Sequence, residues 1–210
     1  MTPRGLNPDN WNNRYQSEEY VYGKDPHPFL VTCRPRFTGR DVLCIADGEG
    51  RNGVWLAGEG FSVTSLDFSS VGLEKARKLA EEKGVSLQTV EADAVGWDYG
   101  TRTWDVLVSI FAHFPRATME AVTRKWIRAL RPGGHLLFVG YDQAQLGRDT
   151  GGPRSADLLY DLNQVQHLFA SLTTVYLEKG EVLLREGSLH QGLGMIIRGL
   201  FRKEKDDDRS

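Results

Sequence analysis

A glycine-rich stretch followed by one aspartate is the feature of this sequence that most directly suggests chemistry. Residues 48–53 read Gly-Glu-Gly-Arg-Asn-Gly, and Asp67 lies 19 positions after Gly48. Glycines spaced as G-x-G-x-x-G allow a tight turn and close approach of a nucleotide, and an acidic residue about 20 positions later can bind ribose hydroxyls. The spacing therefore predicts a site for a ribose-bearing cofactor.

The glycine motif alone leaves the cofactor open. It would serve NAD, whose pyrophosphate sits on a helix N-terminus, and equally S-adenosylmethionine, which has adenosine and an amino acid but no phosphate. A turn without any ligand is the third interpretation. Asp93 follows a predicted strand, where its carboxylate could accept a hydrogen bond from an adenine amino group. That aspartate, the Leu130–Gly134 turn and two β-rich segments at the C-terminal end favour S-adenosylmethionine.

His113 is the candidate group for handling a second substrate. It follows a predicted strand, where it could act as a base or orient an acceptor, although a purely structural histidine is the alternative. Tyr141 follows another predicted strand and could line the same pocket, and Arg116 and Arg148 could recognise an acidic acceptor. The sequence shows no metal-ligand cluster, nucleophile elbow or catalytic triad, which favours a displacement reaction over hydrolysis.

Hydrophobic patterning predicts the scaffold that brings these residues together. Alternating strands and helices are typical of a parallel sheet with helices on both faces, so the predicted fold class is α/β, a Rossmann-like three-layer sandwich. The first 40 residues are predicted to be loop-like, with a turn-rich stretch over residues 19–30 and a short helix that places Trp11 and Tyr15 on one face. Strands are predicted over residues 42–46, 61–66, 86–91, 104–111 and 135–141, helices over 54–57, 70–83, 115–129 and 155–170, and a C-terminal hairpin over 172–184 and 191–202.

Composition narrows the function classes. The 210 residues include 26 Lys plus Arg against 28 Asp plus Glu, and this near-neutral balance argues against broad nucleic-acid or membrane-surface binding. Two cysteines make neither a disulfide framework nor a zinc site. Without an apolar leader or a long apolar run, we expect a cytoplasmic protein. The 23 glycines indicate loops that approach a ligand closely.

Taken together, the loop from Val42 to Asn52, the acidic residues Asp67 and Asp93, and the Leu130–Gly134 turn resemble the class I S-adenosylmethionine-dependent methyltransferases. The resemblance implies S-adenosyl-L-methionine as cofactor and a seven-stranded, mostly parallel sheet with an antiparallel C-terminal strand. It also implies an N-terminal lid over residues 1–40 and a cofactor-binding domain over 41–203. The charged residues at the end of the sequence separately predict a disordered tail over 204–210.

The loop departs from the family pattern D-x-G-x-G-x-G. Cys44 stands at the first acidic position, and Ala46 replaces the first glycine. Alanine permits close backbone approach less freely than glycine. Asp47 stands where a small residue or cysteine is common, and it could hold the cofactor's ammonium group or cap the following helix.

Within the family, the sequence is most similar to small-molecule enzymes of the tellurite-resistance and thiopurine methyltransferase type. Residues 11–15, 22–26, 50–52 and 150–153 carry this closer resemblance. By this analogy the N-terminal segment covers the methionine end of the cofactor, with packing against the sheet edge as the alternative. The predicted cofactor-binding residues are Trp11, Tyr15, Tyr22, Ala46, Asp47, Gly48, Glu49, Gly50, Asn52, Asp67, Phe68, Asp93, Ala94 and Ser109. The predicted acceptor-binding residues are Tyr22, His113, Arg116, Tyr141 and Arg148, with His113 catalytic and no metal site.

The reaction implied is direct in-line methyl transfer to a small molecule, with a soft nucleophile such as a thiol or chalcogen species as the expected acceptor. A thiol supplies thiolate at neutral pH and needs little or no general base. The alternatives are an NAD-dependent oxidoreductase, which would lack the usual Tyr-x-x-x-Lys pair, and a non-catalytic S-adenosylmethionine-binding protein. Nucleic-acid methylation is a weaker idea because there is no basic stripe. We expect a monomer or homodimer with no nucleic-acid or membrane partner.

Overall fold

A seven-stranded sheet organises the chain in the computed structural model, which describes residues 7–205. The spatial order is β3-β2-β1-β4-β5-β7-β6, and β7 alone runs antiparallel to its neighbours. The predicted α/β class, with its mostly parallel sheet and antiparallel C-terminal strand, is therefore confirmed. The strands are β1 Asp41–Ile45, β2 Ser62–Asp67, β3 Gln88–Glu91, β4 Trp104–Ile110, β5 Leu130–Tyr141, β6 Thr173–Glu186 and β7 His190–Arg202.

Helices cover both faces of this sheet, and alternation along the central strand shows why. On β1, Val42 and Cys44 belong to one buried cluster, whereas Leu43 and Ile45 belong to another on the opposite face. A strand buried on both faces requires a helical layer on each side. The α-helices among the described residues are α1 Pro8–Tyr15, α2 Pro28–Cys33, α3 Arg51–Gly58, α4 Ser70–Glu82, α5 Arg116–Ala129 and α6 Leu162–Leu168.

Helix α4 begins and ends where its sequence predicts. The Ser69 hydroxyl accepts a hydrogen bond from the Gly72 amide at 3.0 Å, which satisfies one of the free donors at the helix start. Gly84 follows the helix with a φ of +67°, the left-handed conformation that a glycine adopts at low cost.

The predicted helix over residues 155–170 is wrong in extent. Only Leu162–Leu168 is α-helical, preceded by a single 3-10 turn at Ala156–Leu158. Between them the backbone is extended, because the Tyr160 amide donates to the carbonyl of Tyr141 and continues the edge of the sheet. The Asp161 side chain then caps α6 by accepting from the Gln164 amide.

Two other element boundaries differ from the prediction. Strand β5 begins at Leu130 rather than at residue 135, because Leu130 pairs with Trp104 and the intervening Pro-Gly-Gly turn forms a bulge in the ladder. Helix α2 lies within the first 40 residues, which are predicted to be loop-like beyond one short helix. Pro28 occupies its first turn, and the His27 ring accepts from the amide of Phe29.

The segment before β1 divides into two parts. Residues 28–37 belong to the core, where Phe29, Leu30 and Phe37 pack with residues of β1 and β4. Residues 8–24 instead run across the open end of the sheet. Residues 28–37 of the predicted lid segment are therefore part of the core, and a lid role for residues 8–24 stays a prediction. Of the predicted charged tail, residues 206–210 lie outside the described residues.

Candidate active site

A cleft of about 1070 Å³ opens at the carboxyl ends of the central strands. Ile45, Asp67 and Ile110, which end β1, β2 and β4, all line it. Because β1 pairs with β2 on one side and β4 on the other, this is the point where the strand order reverses, the usual ligand position in such sheets. Most predicted site residues share this wall: Trp11, Tyr15, Tyr22, Ala46, Asp47, Gly48, Glu49, Asn52, Asp67, Phe68, Asp93, Ala94 and His113.

The glycine loop turns from β1 into α3 through left-handed backbone. The φ angles of Ala46, Gly48 and Gly50 are +52°, +56° and +85°. A Cβ on Gly48 would lie 2.6 Å from the Tyr15 hydroxyl, so this glycine is needed for packing of the N-terminal segment as well as for ligand approach. Gly50 lies against Ala76 of α4 and outside the cleft wall. Ala46 adopts its conformation at a cost of about 1–2 kcal/mol.

Asp67 ties the loop to the end of β2. Its carboxylate accepts hydrogen bonds from the amides of Gly48 and Ser69, both at 2.8 Å. Burial raises the pKa of this carboxyl to about 6, although the backbone donors oppose the shift. Each carboxylate oxygen keeps a lone pair that a ligand hydroxyl can use.

Asp47 is a carboxylate with one satisfied oxygen. Oδ2 accepts from the Ser65 hydroxyl, whereas Oδ1 is buried and has no hydrogen-bond partner within the described chain. Burial, with a contribution from the negative charge of Asp67, raises the pKa of Asp47 to about 7. Arg51, which opposes that shift, is paired with Glu186 at 2.9 Å. A carboxylate in this state is a natural partner for a cationic group.

Glu49 holds the N-terminal segment rather than pointing freely into the cleft. Its two oxygens accept from the amides of Val21 and Tyr22, each at 3.3 Å. Lys75 of α4 pairs with the same carboxylate and also donates to the carbonyls of Ser17 and Glu19, at 2.9 and 2.6 Å. This buried pair therefore fixes residues 17–22 over the loop.

Three aromatic rings of that segment cover the cleft. The centroids of Trp11, Tyr15 and Tyr22 lie 5.6 to 6.3 Å apart, and all three residues line the wall. The Arg14 guanidinium lies 4.4 Å from the Trp11 ring and donates to the Tyr22 hydroxyl at 2.9 Å. Aromatic faces of this kind attract cations.

The remaining predicted cofactor residues include Asp93 after β3, Asn52 in α3 and Ser109 in β4. Asp93 accepts from the Val95 amide at 2.9 Å, which leaves its second oxygen available on the exposed side. Asn52 accepts from the His27 amide at 3.0 Å and so links α3 to the N-terminal segment. Ser109 lies behind the wall, and its hydroxyl is buried with no partner in the described residues.

His113 presents one ring nitrogen to the cleft. Its Nδ1 lies 2.8 Å from the Leu158 carbonyl, and because a carbonyl can only accept, the proton sits on Nδ1. Nε2 is buried and has no partner among residues 7–205. Burial lowers the pKa of His113 to about 4, so the ring is a neutral hydrogen-bond acceptor at physiological pH.

Phe111 forms an aromatic wall beside His113. Its φ of +55° is unusual for a large side chain, and strain of this kind concentrates at functional sites. The ring stacks on Tyr141, with centroids 4.6 Å apart and planes at 25°. Tyr141 therefore lies one layer behind the cleft, where burial raises the pKa of its hydroxyl.

The two predicted arginines face away from this wall. Arg148 pairs with Glu181 and reaches the carbonyl of Leu193, both on the C-terminal hairpin. Arg116 lies at the start of α5, 3.7 Å from Asp161, and is nearly half exposed. Neither residue lines the cleft.

A buried charged cluster at the same end of the molecule escaped the sequence prediction. Glu186 accepts from Arg51 at 2.9 Å, and its carboxylate also lies 3.2 Å from Nδ1 of His190 and 3.6 Å from Nε2 of His27. Both Arg51 and His190 line the cleft. The spacing of Glu186 and His190 across a hairpin turn was the one available signal in the sequence.

Residues 7–205 contain no group of three or more His, Cys, Asp or Glu side chains placed to bind a metal ion. Within the same range, every helix is too short or too polar to span a bilayer.

Comparison with known proteins identifies a domain in this region. Residues 42–134 match a methyltransferase domain family. The uncharacterized methyltransferase YbaJ of Bacillus subtilis is 32% identical over 104 residues, which are 49% of this chain and 41% of that protein. The chain thus matches about two fifths of the length of this relative.

Solved structures share the fold over nearly the whole chain. TehB from Haemophilus influenzae superposes with a TM-score of 0.71 and 18% identity, covering 94% of this chain and 67% of that one. The N-methyltransferase NodS from Bradyrhizobium japonicum WM9, in complex with S-adenosyl-L-homocysteine, gives a TM-score of 0.70 and 15% identity, covering 93% and 97%.

Proposed function

Since this chain carries the methyltransferase domain and fold of the class I S-adenosylmethionine-dependent methyltransferases, we propose that it methylates a small molecule with S-adenosyl-L-methionine as the methyl donor. The observation that carries the proposal is a pair of carboxylates, Asp47 at the start of the glycine loop and Asp67 at the end of β2. The bond from the Gly48 amide to Asp67 supports a role for Asp67 with ribose hydroxyls, and the unpartnered oxygen of Asp47 supports a role with an ammonium group.

The charges of the cleft suit this cofactor better than NAD. Asp47, Asp67 and Asp93 line one half of the wall. Of the three arginines that also line the cleft, Arg51 is paired with Glu186, Arg14 is held by Tyr22 and the Trp11 ring, and Arg154 is exposed. S-adenosylmethionine is positively charged at its sulfonium and ammonium groups and carries no phosphate. A pyrophosphate would instead meet three carboxylates, at an energetic cost from like-charge repulsion.

The residues divide the work of binding and orientation. Asp67 and Asp93 hold the adenosyl end, Asp47 holds the ammonium, and the rings of Trp11, Tyr15 and Tyr22 exclude water from the sulfonium. The cofactor supplies a methyl group on an already activated leaving group. Most of the acceleration then comes from orientation and a dry site, which is what the buried wall and the aromatic cover provide.

The acceptor half of the cleft is aromatic, and we propose a small soft nucleophile, a thiol or chalcogen species, as its occupant. Phe111, Phe114 and Tyr22 supply apolar walls, and Nε2 of His113 supplies a single hydrogen-bond acceptor. The role proposed for His113 is orientation, because a neutral ring with a pKa of about 4 is a weak base. It accepts a hydrogen bond from a donor group elsewhere on the bound acceptor molecule and so orients that molecule toward the methyl group.

Thermal unfolding with added ligands tests the proposal. A ligand at about 100 times its Kd adds roughly 2.7 kcal/mol, which raises Tm by about 5–10 °C for a chain of this size. We expect this shift with S-adenosylmethionine and S-adenosylhomocysteine and none with NADH. A shift with NADH alone contradicts the proposal. A shift with the two adenosyl ligands, but no methyl transfer across thiol, selenol, phenol and amine panels, identifies a non-catalytic binding protein instead.

A further inference from the structure

Two histidines border the acceptor half of the cleft, and the structure holds them in different ways. His113 is held by a carbonyl oxygen, whereas His190 is held by the carboxylate of Glu186. Resting on the proposed methyl transfer, we infer that His190 is the catalytic base that takes the acceptor's proton, and that Glu186 is the residue that positions it. The site then reaches acceptors that are protonated at neutral pH, beyond those that arrive already ionised.

The geometry of the pair is that of a base oriented by an acid. Nδ1 of His190 lies 3.2 Å from Oε2 of Glu186, and both side chains are less than a tenth exposed. Glu186 is ionised, because His190 and Arg51 hold the pKa of its carboxyl down at about 2. An ionised carboxylate only accepts, so the proton of neutral His190 sits on Nδ1. Its Nε2 is then the nitrogen that carries the lone pair.

The ring of His190 is part of the acceptor wall. Its centroid lies 4.5 Å from that of Tyr22 and 4.8 Å from that of Phe111, and all three residues line the cleft. Behind it, Tyr141 makes an edge contact at 5.6 Å. Three aromatic neighbours fix the plane of the imidazole, so Glu186 determines only which nitrogen faces the acceptor.

The charged groups around the pair come from three separate elements. Arg51 of α3 donates to the same oxygen of Glu186 at 2.9 Å, and His27 faces the other oxygen at 3.6 Å. Arg14 of α1 acts on His190 only through its charge. Burial and these two arginines lower the pKa of His190, and Glu186 opposes them. The ring therefore stays neutral at physiological pH, in the form that can accept a proton.

The assigned step balances in protons and electrons. Nε2 of His190 takes the proton from the X–H bond of the acceptor. The electron pair left on X forms the bond to the methyl carbon, and the pair of the broken carbon–sulfur bond remains on the sulfur as a neutral thioether. His190 leaves the step as an imidazolium beside the Glu186 carboxylate, and it returns its proton to water when the products leave.

Acceptors that differ in ionisation at pH 7, each compared between wild type and variant, test this assignment. The probes are 4-nitrothiophenol and benzyl mercaptan, ionised and protonated at pH 7, and the matched phenols pentafluorophenol and phenol. Each is assayed with the full-length enzyme by formation of S-adenosylhomocysteine. For His190→Gln and Glu186→Gln we expect kcat/KM to fall about 100-fold or more with the protonated probes, the usual contribution of a general base. With the ionised probes we expect less than a threefold change, which also shows that the variants fold.

Two further variants separate a base from a structural contact. His167→Gln changes an exposed histidine of α6 outside the cleft wall, and it should leave both classes of acceptor unchanged. Glu186→Asp should restore part of the rate with the protonated probes. An equal fall with ionised and protonated probes, or no fall with either, overturns the assignment.

Failure of the proposed function has a different signature from failure of the assignment to His190. If the proposed function is wrong, the wild-type protein transfers no methyl group to any of the four probes, whether or not S-adenosylhomocysteine stabilises it. The assignment to His190 is then wrong as well.

Discussion

Replacing Asp47 by Asn should weaken cofactor binding while stabilising the empty protein. The carboxylate is buried, and its Oδ1 has no partner in the described chain. Arg51, the cation whose charge lowers the pKa of Asp47, is paired with Glu186. The cofactor's ammonium is expected to satisfy that oxygen. A hydrogen bond between charged groups contributes about 1.5–3 kcal/mol, so the Kd for S-adenosylhomocysteine should rise about 10–100-fold.

The unfolding free energy of the unliganded protein should rise in the same variant. The pKa of Asp47 in the folded chain is about 7, above its ordinary value of 3.8. An acid with a raised folded pKa contributes stability below its unfolded pKa, and that contribution is lost as pH rises through 7. Because each tenfold change in a group's proton affinity corresponds to about 1.4 kcal/mol, the variant should gain roughly 2–4 kcal/mol in unfolding free energy at pH 8 and almost nothing at pH 4.

Calorimetric titration with two ligands isolates the ammonium contact. S-adenosylhomocysteine carries the amino-acid end, whereas 5′-methylthioadenosine lacks it and shares only the adenosyl end. We expect Asp47→Asn to raise the Kd for S-adenosylhomocysteine and to change the Kd for 5′-methylthioadenosine by less than threefold. In wild type, the affinity for S-adenosylhomocysteine relative to that for 5′-methylthioadenosine should rise as pH increases to about 7, by up to tenfold per pH unit, and then level off. The reason is that the ammonium binds the ionised carboxylate.

Two results would refute this reasoning. An equal loss of affinity for both ligands would mean that Asp47 only braces the loop against Ser65. A less stable unliganded variant at pH 8 would mean that the carboxylate is satisfied within the fold and needs no ligand.

Three further predictions follow from the same cleft. Asp67→Asn should weaken both adenosyl ligands alike, because the ribose is common to them; calorimetric affinities that fall for S-adenosylhomocysteine alone would contradict the ribose assignment. Ala46→Gly should raise the unfolding free energy by about 0.5–1 kcal/mol, since the left-handed cost to alanine exceeds the added entropy of the unfolded chain; denaturant unfolding measures it, and a destabilised variant would contradict it. His113→Gln should lower kcat/KM for acceptors that carry a further hydrogen-bond donor while S-adenosylhomocysteine affinity stays within threefold, whereas parallel losses in turnover and affinity would indicate a structural histidine.

Short stretches of sequence predict much of this fold because the interactions that fix those elements form within the same stretches. The alternation of short apolar runs with helical periodicity predicts a parallel sheet with helices on both faces, and the Ser69 cap and Gly84 fix the ends of α4 without reference to the rest of the chain. The helix expected over residues 155–170 fails for the opposite reason. A tertiary contact, the pairing of Tyr160 with the end of β5, overrides the helical preference of its neighbours.

The candidate site is predictable on its cofactor side and much less so on its acceptor side. Gly48 and Asp67 lie 19 residues apart, the spacing expected of a nucleotide-binding loop and its ribose-binding acid. The Gly48 amide lies 2.8 Å from the Asp67 carboxylate. Arg51 and Glu186 are separated by 135 residues and meet at almost the same distance, 2.9 Å, yet no local spacing relates them. Only the course of the C-terminal hairpin, which extends past the end of β5, brings them together.

The hairpin also explains why the cofactor side and the acceptor side act as one site. Glu49 of the glycine loop binds the amides of Val21 and Tyr22, and from the opposite side the amide of Leu189 donates to the Val21 carbonyl at 3.1 Å. Gly187 is packed so closely against Val21 that any side chain there would collide with it. Because the ring of Tyr22 contacts that of His190, displacing this short segment disturbs the glycine loop and the acceptor wall together. Tyr22 therefore lies at the border of the two proposed ligand sites, and the glycine loop supports the proposed acceptor pocket through it.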